Sequence, residues 1–289
     1  MQEYDKFQFD VDGTALRSFR GNERKVIVPD GVTSIEYNAF AGSGVTEIVL
    51  PESVVTIGYS AFKACSGLER ITLPSGLKNI RDEAFRGCAS LKEIKLPDGL
   101  EIIGKWAFTG CSSLLNIDVP ESVREIGYSA FSDCKSVEEI KIGAHVSVIE
   151  DNVFAGCNAV KSIFLPDGVS SIGKWAFSDC RELTDLNLPE GVKIIGEGAF
   201  KDCWSLKNLI LPDSVTRIEK WAFAGCNGMD ELLIPHSVAF MEMCVFTDCG
   251  GLSIKCERKK PNALSKKWNK NWQGNNENAL KVTWGFKKS

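Results

Sequence analysis

The residues best equipped for chemistry are the cysteines, and nine of the eleven recur at one interval. Cys65, Cys88, Cys111, Cys134, Cys157, Cys180, Cys203, Cys226 and Cys249 follow one another every 23 residues. Thiolates bind soft metals and form disulfides, but metal sites draw ligands from tight local spacing such as Cys-x-x-Cys, and no such pair occurs. A 23-residue interval instead lays down a column of thiols. Side chains in register point the same way, which defeats disulfide geometry. The expectation is therefore packing of reduced thiols, because free cysteine is among the most buried residue types and behaves as a small apolar group.

Carboxylates form a second column: Asp30, Glu52, Asp98, Glu121, Asp167, Glu190 and Asp213, each just after a proline. Such a column could hold calcium. Gly31, Ser53, Gly99, Ser122, Gly168, Gly191 and Ser214 follow, however, and Pro-Asp-Gly or Pro-Glu-Ser is turn chemistry. The two histidines, His145 and His236, lie four repeats apart, about 19 Å at strand spacing, too far to act as a pair. Glycines come singly, with no phosphate-binding loop. No catalytic residues are assigned, no metal or cofactor is expected, and the chain reads as a non-enzyme.

Positioning these columns is a repeat. Pro29, Pro51, Pro74, Pro97, Pro120, Pro166, Pro189, Pro212 and Pro235 keep the same beat, with Gly143 in the one empty slot, and so do Phe40 to Phe246 and Ile35 to Ile218, with Met241 as the tenth. The first repeat is one residue short near Ser43. In one rung, Ile71 and Leu73 alternate as in a short strand with a buried face. Pro74 stops that strand, Leu77 and Ile80 return to the core, and Ala84-Phe85-x-x-Cys88-x-x-Leu91 is spaced by three, as in a helical or 3₁₀ turn. No rung buries its apolar face alone; stacked rungs do.

Three segments follow: an N-terminal cap hairpin at 1–25, ten repeats at 26–254 and a C-terminal cap at 255–289, in one continuous domain. At the front, Phe7-x-Phe9-x-Val11 and Asp12-Gly13 are a hairpin signal. At the back, Trp268, Trp272 and Trp284 cover the last rung. The C-terminal cap holds ten Lys or Arg against two Glu, a net of +8 in a chain of net −4. Its lysines interleave with aromatics, as in some nucleic-acid binders, but tryptophans that seal a core and lysines that keep an end soluble account for the same pattern, so nucleic acid is not the expected partner. No apolar run is long enough to span a membrane, and Met1–Asp5 carries no signal-peptide pattern. The chain is therefore expected to be cytoplasmic if complete, or to have lost a signal.

The rung I-x-L-P-x-[GS]-V-x-x-I-G-x-x-A-F-x-x-C-x-x-L, as in Ile94-Lys95-Leu96-Pro97 through Ala107-Phe108, resembles the BspA-type leucine-rich repeats. Ile254-Lys255-Cys256-Glu257, Lys260-Pro261, Trp268, Trp272 and Val282-Thr283-Trp284-Gly285-Phe286 are similar to that family's C-terminal cap. The resemblance implies an α/β, right-handed leucine-rich-repeat solenoid, β-rich with short helical or 3₁₀ turns and capped at both ends. It also implies a surface or secreted binding protein, often an adhesin of host-associated bacteria, with no shared catalytic residues; an intracellular protein-binding adaptor is the alternative.

Two outward columns are candidate contact sites for a protein or glycan ligand. Trp106, Trp175 and Trp221 stand two residues before the rung phenylalanine, with Tyr37, Tyr59 and Tyr128 one residue earlier in other rungs. At about 4.8 Å per rung the tryptophans are about 14 Å and 10 Å apart, which keeps their faces separate. The outward strand position turns apolar toward the C-terminus, at Phe164, Ile210 and Leu233. Exposed aromatics suggest contact; rings lying over neighbouring rungs and merely covering the edge is the competing explanation.

Overall fold

The computed structural model describes residues 6–260, 268–274 and 280–287. The chain divides into two compact units, residues 1–137 with 141–145, and residues 138–140 with 146–289. Each is a stack of rungs of the leucine-rich-repeat kind, and the chain makes about eleven turns of a β-solenoid. The repeat beat counts ten.

In the first unit the hairpin extends the stack at its start. Phe7–Phe9 pairs antiparallel with Ala15–Phe19, and the Asp10 carboxylate accepts hydrogen bonds from the amides of Thr14 and Ala15 at 2.8 and 3.0 Å. The second hairpin strand then pairs in parallel with Ser34–Ile35. It thereby opens a ladder that runs through Thr56–Ile57, Asn79–Ile80, Ile102–Ile103 and Glu125–Ile126. Phe19 stacks on Phe40 at 5.1 Å, extending the phenylalanine column outward by one rung. On another side of the rungs Lys25–Ile27, Glu47–Val49 and Arg70–Thr72 form a parallel sheet.

The second unit repeats the plan. Val148–Ile149, Ser171–Ile172, Ile194–Ile195, Arg217–Ile218 and Phe240–Met241 form one parallel ladder. Ser162–Phe164, Asp185–Asn187 and Asn208–Ile210 form another. Glu231–Ile234, Ser253–Cys256 and Lys281–Trp284 close the end, all parallel. The cap falls partly on residues 261–267, 275–279 and 288–289, outside the described residues.

The repeat columns make the core. The isoleucine and phenylalanine columns are buried throughout. Ring centroids stand 5.1 to 5.2 Å apart from Phe40 to Phe131 and 5.5 to 5.7 Å apart from Phe154 to Phe246. Nearly parallel offset rings at this spacing are a favourable arrangement.

The expected helical or 3₁₀ turns are not there: among the described residues no helix forms. Every rung places a residue in the left-handed region two positions before its phenylalanine, from Asn38 to Cys244, with φ between 52° and 59°. It places a second one two positions after it, at Gly42, Ala64, Gly87, Gly110, Asp133, Gly156, Asp179, Asp202, Gly225 and Asp248. A positive φ breaks helix propagation, and single residues, not helices, visit this region. What remains is a run of tight turns with three-residue bonds, such as Ala41 N–H to Asn38 O and Cys65 N–H to Phe62 O. The other backbone donors reach the next rung, as in Phe40 N–H to Ala61 O at 2.7 Å. The spacing by three was a sound reading of turns and a wrong reading of helix.

Candidate functional site

The cysteine column is reduced and fully buried. Eight of the nine thiols are seen to donate to the phenylalanine carbonyl of the preceding rung, at 3.0 Å from Cys65 to Phe40, 3.3 Å from Cys111 to Phe85 and 3.1 Å from Cys203 to Phe177. Cysteine is thus more than a small apolar filler, since it satisfies a buried acceptor. Burial pushes these thiols up, Cys111 to about 12 and Cys88, Cys180 and Cys226 well above their ordinary value. Such thiols are poor nucleophiles and poor metal ligands.

The carboxylate column does turn work. Glu52 accepts from the amide and hydroxyl of Ser75 at 3.0 and 2.8 Å, and Glu121 from the amide of Ala144 at 2.6 Å. Among the described residues no group of three or more His, Cys, Asp or Glu is placed to hold a metal ion. His145 and His236 are both exposed. Neither column converges on a reacting centre.

The tryptophans are placed differently from the expectation. All three are half-buried, and all three stand in the left-handed backbone region, Trp106 at 52°, Trp175 at 55° and Trp221 at 59°. In the first unit Trp106 meets Tyr128 of the next rung edge-on, with centroids 4.3 Å apart, and the Lys105 ammonium lies 5.2 Å from the Tyr128 ring. Tyr37 and Tyr59 are exposed. In the second unit Trp175 and Trp221 are not separate. Their centroids are 6.0 Å apart, inclined by 44°.

Gly198 is the reason. It fills the tryptophan position in the rung between them, and a β-carbon there would fall 2.3 Å from Cε3 of Trp175. The indole of Trp175 lies in the space a side chain would take, and so crosses a rung to reach Trp221. A gap computed from backbone spacing could not anticipate that reach. We expect Gly198→Ala to push the indole away and to add strain at a φ of 59°. Tryptophan fluorescence should report loss of the Trp175–Trp221 contact, with destabilisation of about 1 kcal/mol. An unchanged emission spectrum would show that the ring does not depend on the notch.

Cations flank the pair. The Lys220 ammonium lies 3.4 Å from the Trp221 centroid and that of Lys201 5.8 Å from Trp175. The Arg217 guanidinium stacks 4.8 Å from the Phe240 ring and pairs with Glu242 at 3.5 Å. Arg217, Lys220, Phe240, Glu242, Met243 and Asn269 border a cavity of about 340 Å³. Trp221, Lys220, Arg217 and Phe240 therefore form one aromatic and basic ridge beside a recess. The sequence reading did not pick out Phe240. Its position, just before the ladder isoleucine, carries Ser34, Thr56, Asn79, Ile102, Glu125, Val148, Ser171, Ile194 and Arg217 in other rungs, and an aromatic ring in a column without another was the available signal.

The family model for the BspA-type leucine-rich repeat region matches residues 18–138 and 125–253, in six copies. The chain belongs to this family. Among solved structures it is similar to the leucine-rich repeat protein TpLRR of T. pallidum, with 33% identity, a TM-score of 0.59, and coverage of 64% of this chain and 90% of that one. A leucine-rich repeat protein from Bacteroides ovatus shares the fold at 24% identity and TM-score 0.53, over 96% of this chain and 97% of that one. So does the pneumococcal vaccine antigen PcpA, at 16% identity and TM-score 0.54, over 95% and 81%. No curated protein sequence matches the chain. Proteins of the leucine-rich-repeat family are commonly binding scaffolds and generally not enzymes. No helix among the described residues is long and apolar enough to cross a membrane.

The second outward column of this BspA-type chain is exposed at Phe164 and Ile210, while Leu233 is half-buried. Phe164 and Ile210 are separated by Asn187 on the intervening strand. The column therefore offers isolated apolar side chains, whereas the ridge offers contiguous rings and cations.

Proposed function

We propose that the chain is a noncatalytic binding scaffold for a protein or glycan ligand, adhesin-like at a cell surface, and that the Trp175–Trp221–Phe240 ridge is its contact surface in the second unit. Trp106 with Tyr128 is the corresponding surface in the first. The observation that supports this reading is the backbone beneath the tryptophans. The left-handed conformation belongs to this position in every rung, and other rungs fill it with the smaller or non-aromatic Asn38, Ser60, Glu83, Ser129, Asn152, Gly198 and Cys244. A bulky residue there is an outlier, and the conformation costs an L-residue roughly 1–2 kcal/mol. Strain of this kind gathers at functional sites. Indole faces beside ammonium and guanidinium groups suit a ligand that pairs a flat apolar face with negative charge, such as a carboxylated or sulfated sugar.

The test is the triple variant Trp106→Ser, Trp175→Ser and Trp221→Ser, using the residue that Ser60 and Ser129 supply in other rungs. Ser60 and Ser129 hold the same left-handed backbone, and the three rings are only half-buried, so stability should stay within about 1 kcal/mol per site. Binding to an acidic glycan array should fall by about thirtyfold or more, the size of a hot-spot loss. A variant that unfolds makes the tryptophans structural. A folded variant that binds as before moves the contact surface to Phe164, Ile210 and Leu233.

A further inference from the structure

The first unit contains one coil whose strand is missing. Glu93, Ile94 and Lys95 occupy the repeat position of Arg70–Thr72 and Asn116–Asp118, yet they form no strand. The parallel sheet of Lys25–Ile27, Glu47–Val49 and Arg70–Thr72 stops there. Among the described residues, no backbone hydrogen bond joins Glu93, Ile94 or Lys95 to either neighbouring coil. The opposite side stays closed, with Asn79–Ile80 paired to Ile102–Ile103 and Phe85 stacked 5.1 Å from Phe108. The coils are parted at one edge only. Burial registers the parting: Val26, Ile48, Ile71, Ile117 and Ile140 are buried at this column position, and Ile94 is only half-buried.

Two clefts open on either side of Lys95. One, of about 450 Å³, is lined by Arg70, Thr72, Lys92, Glu93, Asn116 and Asp118. The other, of about 390 Å³, reaches Glu52, Ser75 and Asp98. Charged side chains on neighbouring strands pair across rungs, as Lys25 does with Glu47 at 2.9 Å. Among the described residues, no hydrogen bond or ion pair holds the side chains of Arg70, Lys92, Glu93, Lys95 or Asp118. Open backbone groups and charges held by no hydrogen bond or ion pair thus meet at one opening, with Arg70 attracted at longer range to Glu47.

We infer that this opening binds a short extended peptide, whose backbone pairs with the free strand edges and whose carboxylates meet Arg70, Lys92 and Lys95. Donors and acceptors along an open strand edge alternate with a rise of about 3.3 Å per residue, and the ligand that matches that alternation is another extended backbone. The cleft volumes fall in the range of small-ligand sites, about 300–1,000 Å³, which suits a few residues and not a folded domain. In the first cleft three cations stand against Glu93 and Asp118, and that cleft favours an acidic segment, whereas Glu52 and Asp98 give the second the opposite balance. The site lies in the first unit and does not depend on the tryptophan ridge.

Amide hydrogen exchange on the whole chain tests it. In the free protein the amides of Glu93, Ile94 and Lys95 should exchange about a hundredfold faster than those of Glu47, Ile48 and Val49. A blocked heptapeptide of alternating threonine and glutamate should slow the three amides by about tenfold or more. The same peptide N-methylated at alternate residues, which lacks the backbone donors, should not. Lys95→Glu should weaken the acidic peptide by about tenfold without lowering the melting temperature. Strand-like protection of Glu93 to Lys95 in the free protein would overturn the inference. So would equal protection by the N-methylated peptide, or unchanged affinity in the Lys95→Glu variant.

Discussion

Between pH 9 and pH 11 the protein is expected to lose much of its stability, and the cysteine column is the cause. Cys88, Cys111, Cys180, Cys203 and Cys226 have no exposed surface, and burial raises every one of these thiols, that of Cys111 from 9.0 to about 12. Below pH 9 the thiols are protonated in both folded and unfolded chains, and their contribution to stability is fully present. Above pH 9 the unfolded chain ionises while the folded chain cannot, so the contribution is lost as pH climbs toward the folded values. Each thiol forfeits about 1.4 kcal/mol per pH unit in that window. Two of these thiols lie in the first unit and three in the second, which makes the slopes about 3 and 4 kcal/mol per unit. Two such units remove about 6 and 8 kcal/mol, which exhausts a domain stability at the lower end of the usual range of about 5–15 kcal/mol. Circular dichroism against pH measures the midpoint. Replacing Cys180, Cys203 and Cys226 by Ala should flatten the alkaline slope of the second unit by about 4 kcal/mol per pH unit. A stability that stays flat from pH 9 to pH 11, or free thiol labelling at pH 8, would contradict this account.

The second large effect is at the C-terminal end. Trp272 is 7% exposed and meets Phe246, the last of the phenylalanine column, edge-on at 5.8 Å. Trp268 and Trp284 complete the cluster at 5.5 and 6.2 Å from Trp272, and the Trp268 indole donates to Val238 O at 3.2 Å. The Trp272 carbonyl accepts from Val245 N–H at 2.8 Å, so the cap also closes the backbone of the last rung. Trp272→Ala should cost about 3–5 kcal/mol, as emptying a buried aromatic site does, and should make the protein bind a hydrophobic dye at its bared end. Trp221→Ser, on the ridge, should cost far less. Thermal denaturation of the two variants side by side decides the matter: equal losses would erase the distinction between sealing tryptophans and contact tryptophans.

That distinction was only partly legible in the residues. The 23-residue beat was enough to name the core columns, since an apolar residue recurring once per coil has to face inward in a stack. Phe40 through Phe246, Ile35 through Met241 and the nine cysteines are all buried where the beat puts them. Trp268 and Trp272 were likewise readable as a cap, because an open last rung needs an aromatic cover. Asn38, Asn152 and Gly198 at one position, and Gly42, Gly87 and Gly110 at another, held the signal for left-handed turns. Spacing by three masked it, because helices and successive tight turns share that period.

The rest belongs to the fold. Side-chain reach across rungs is set in three dimensions, so only the structure could lay the Trp175 indole over Gly198 and against Trp221. Only the structure could bring Phe240, Arg217 and Lys220 around one recess, because the ladder places them in adjacent coils. The parted strand at Glu93–Lys95 is the clearest case. Its repeat matches the consensus as well as any other, and its apolar pattern specifies a strand. Whether that strand closes depends on the pairing it makes with two neighbouring coils, an energy that belongs to the stack and is written in no single rung.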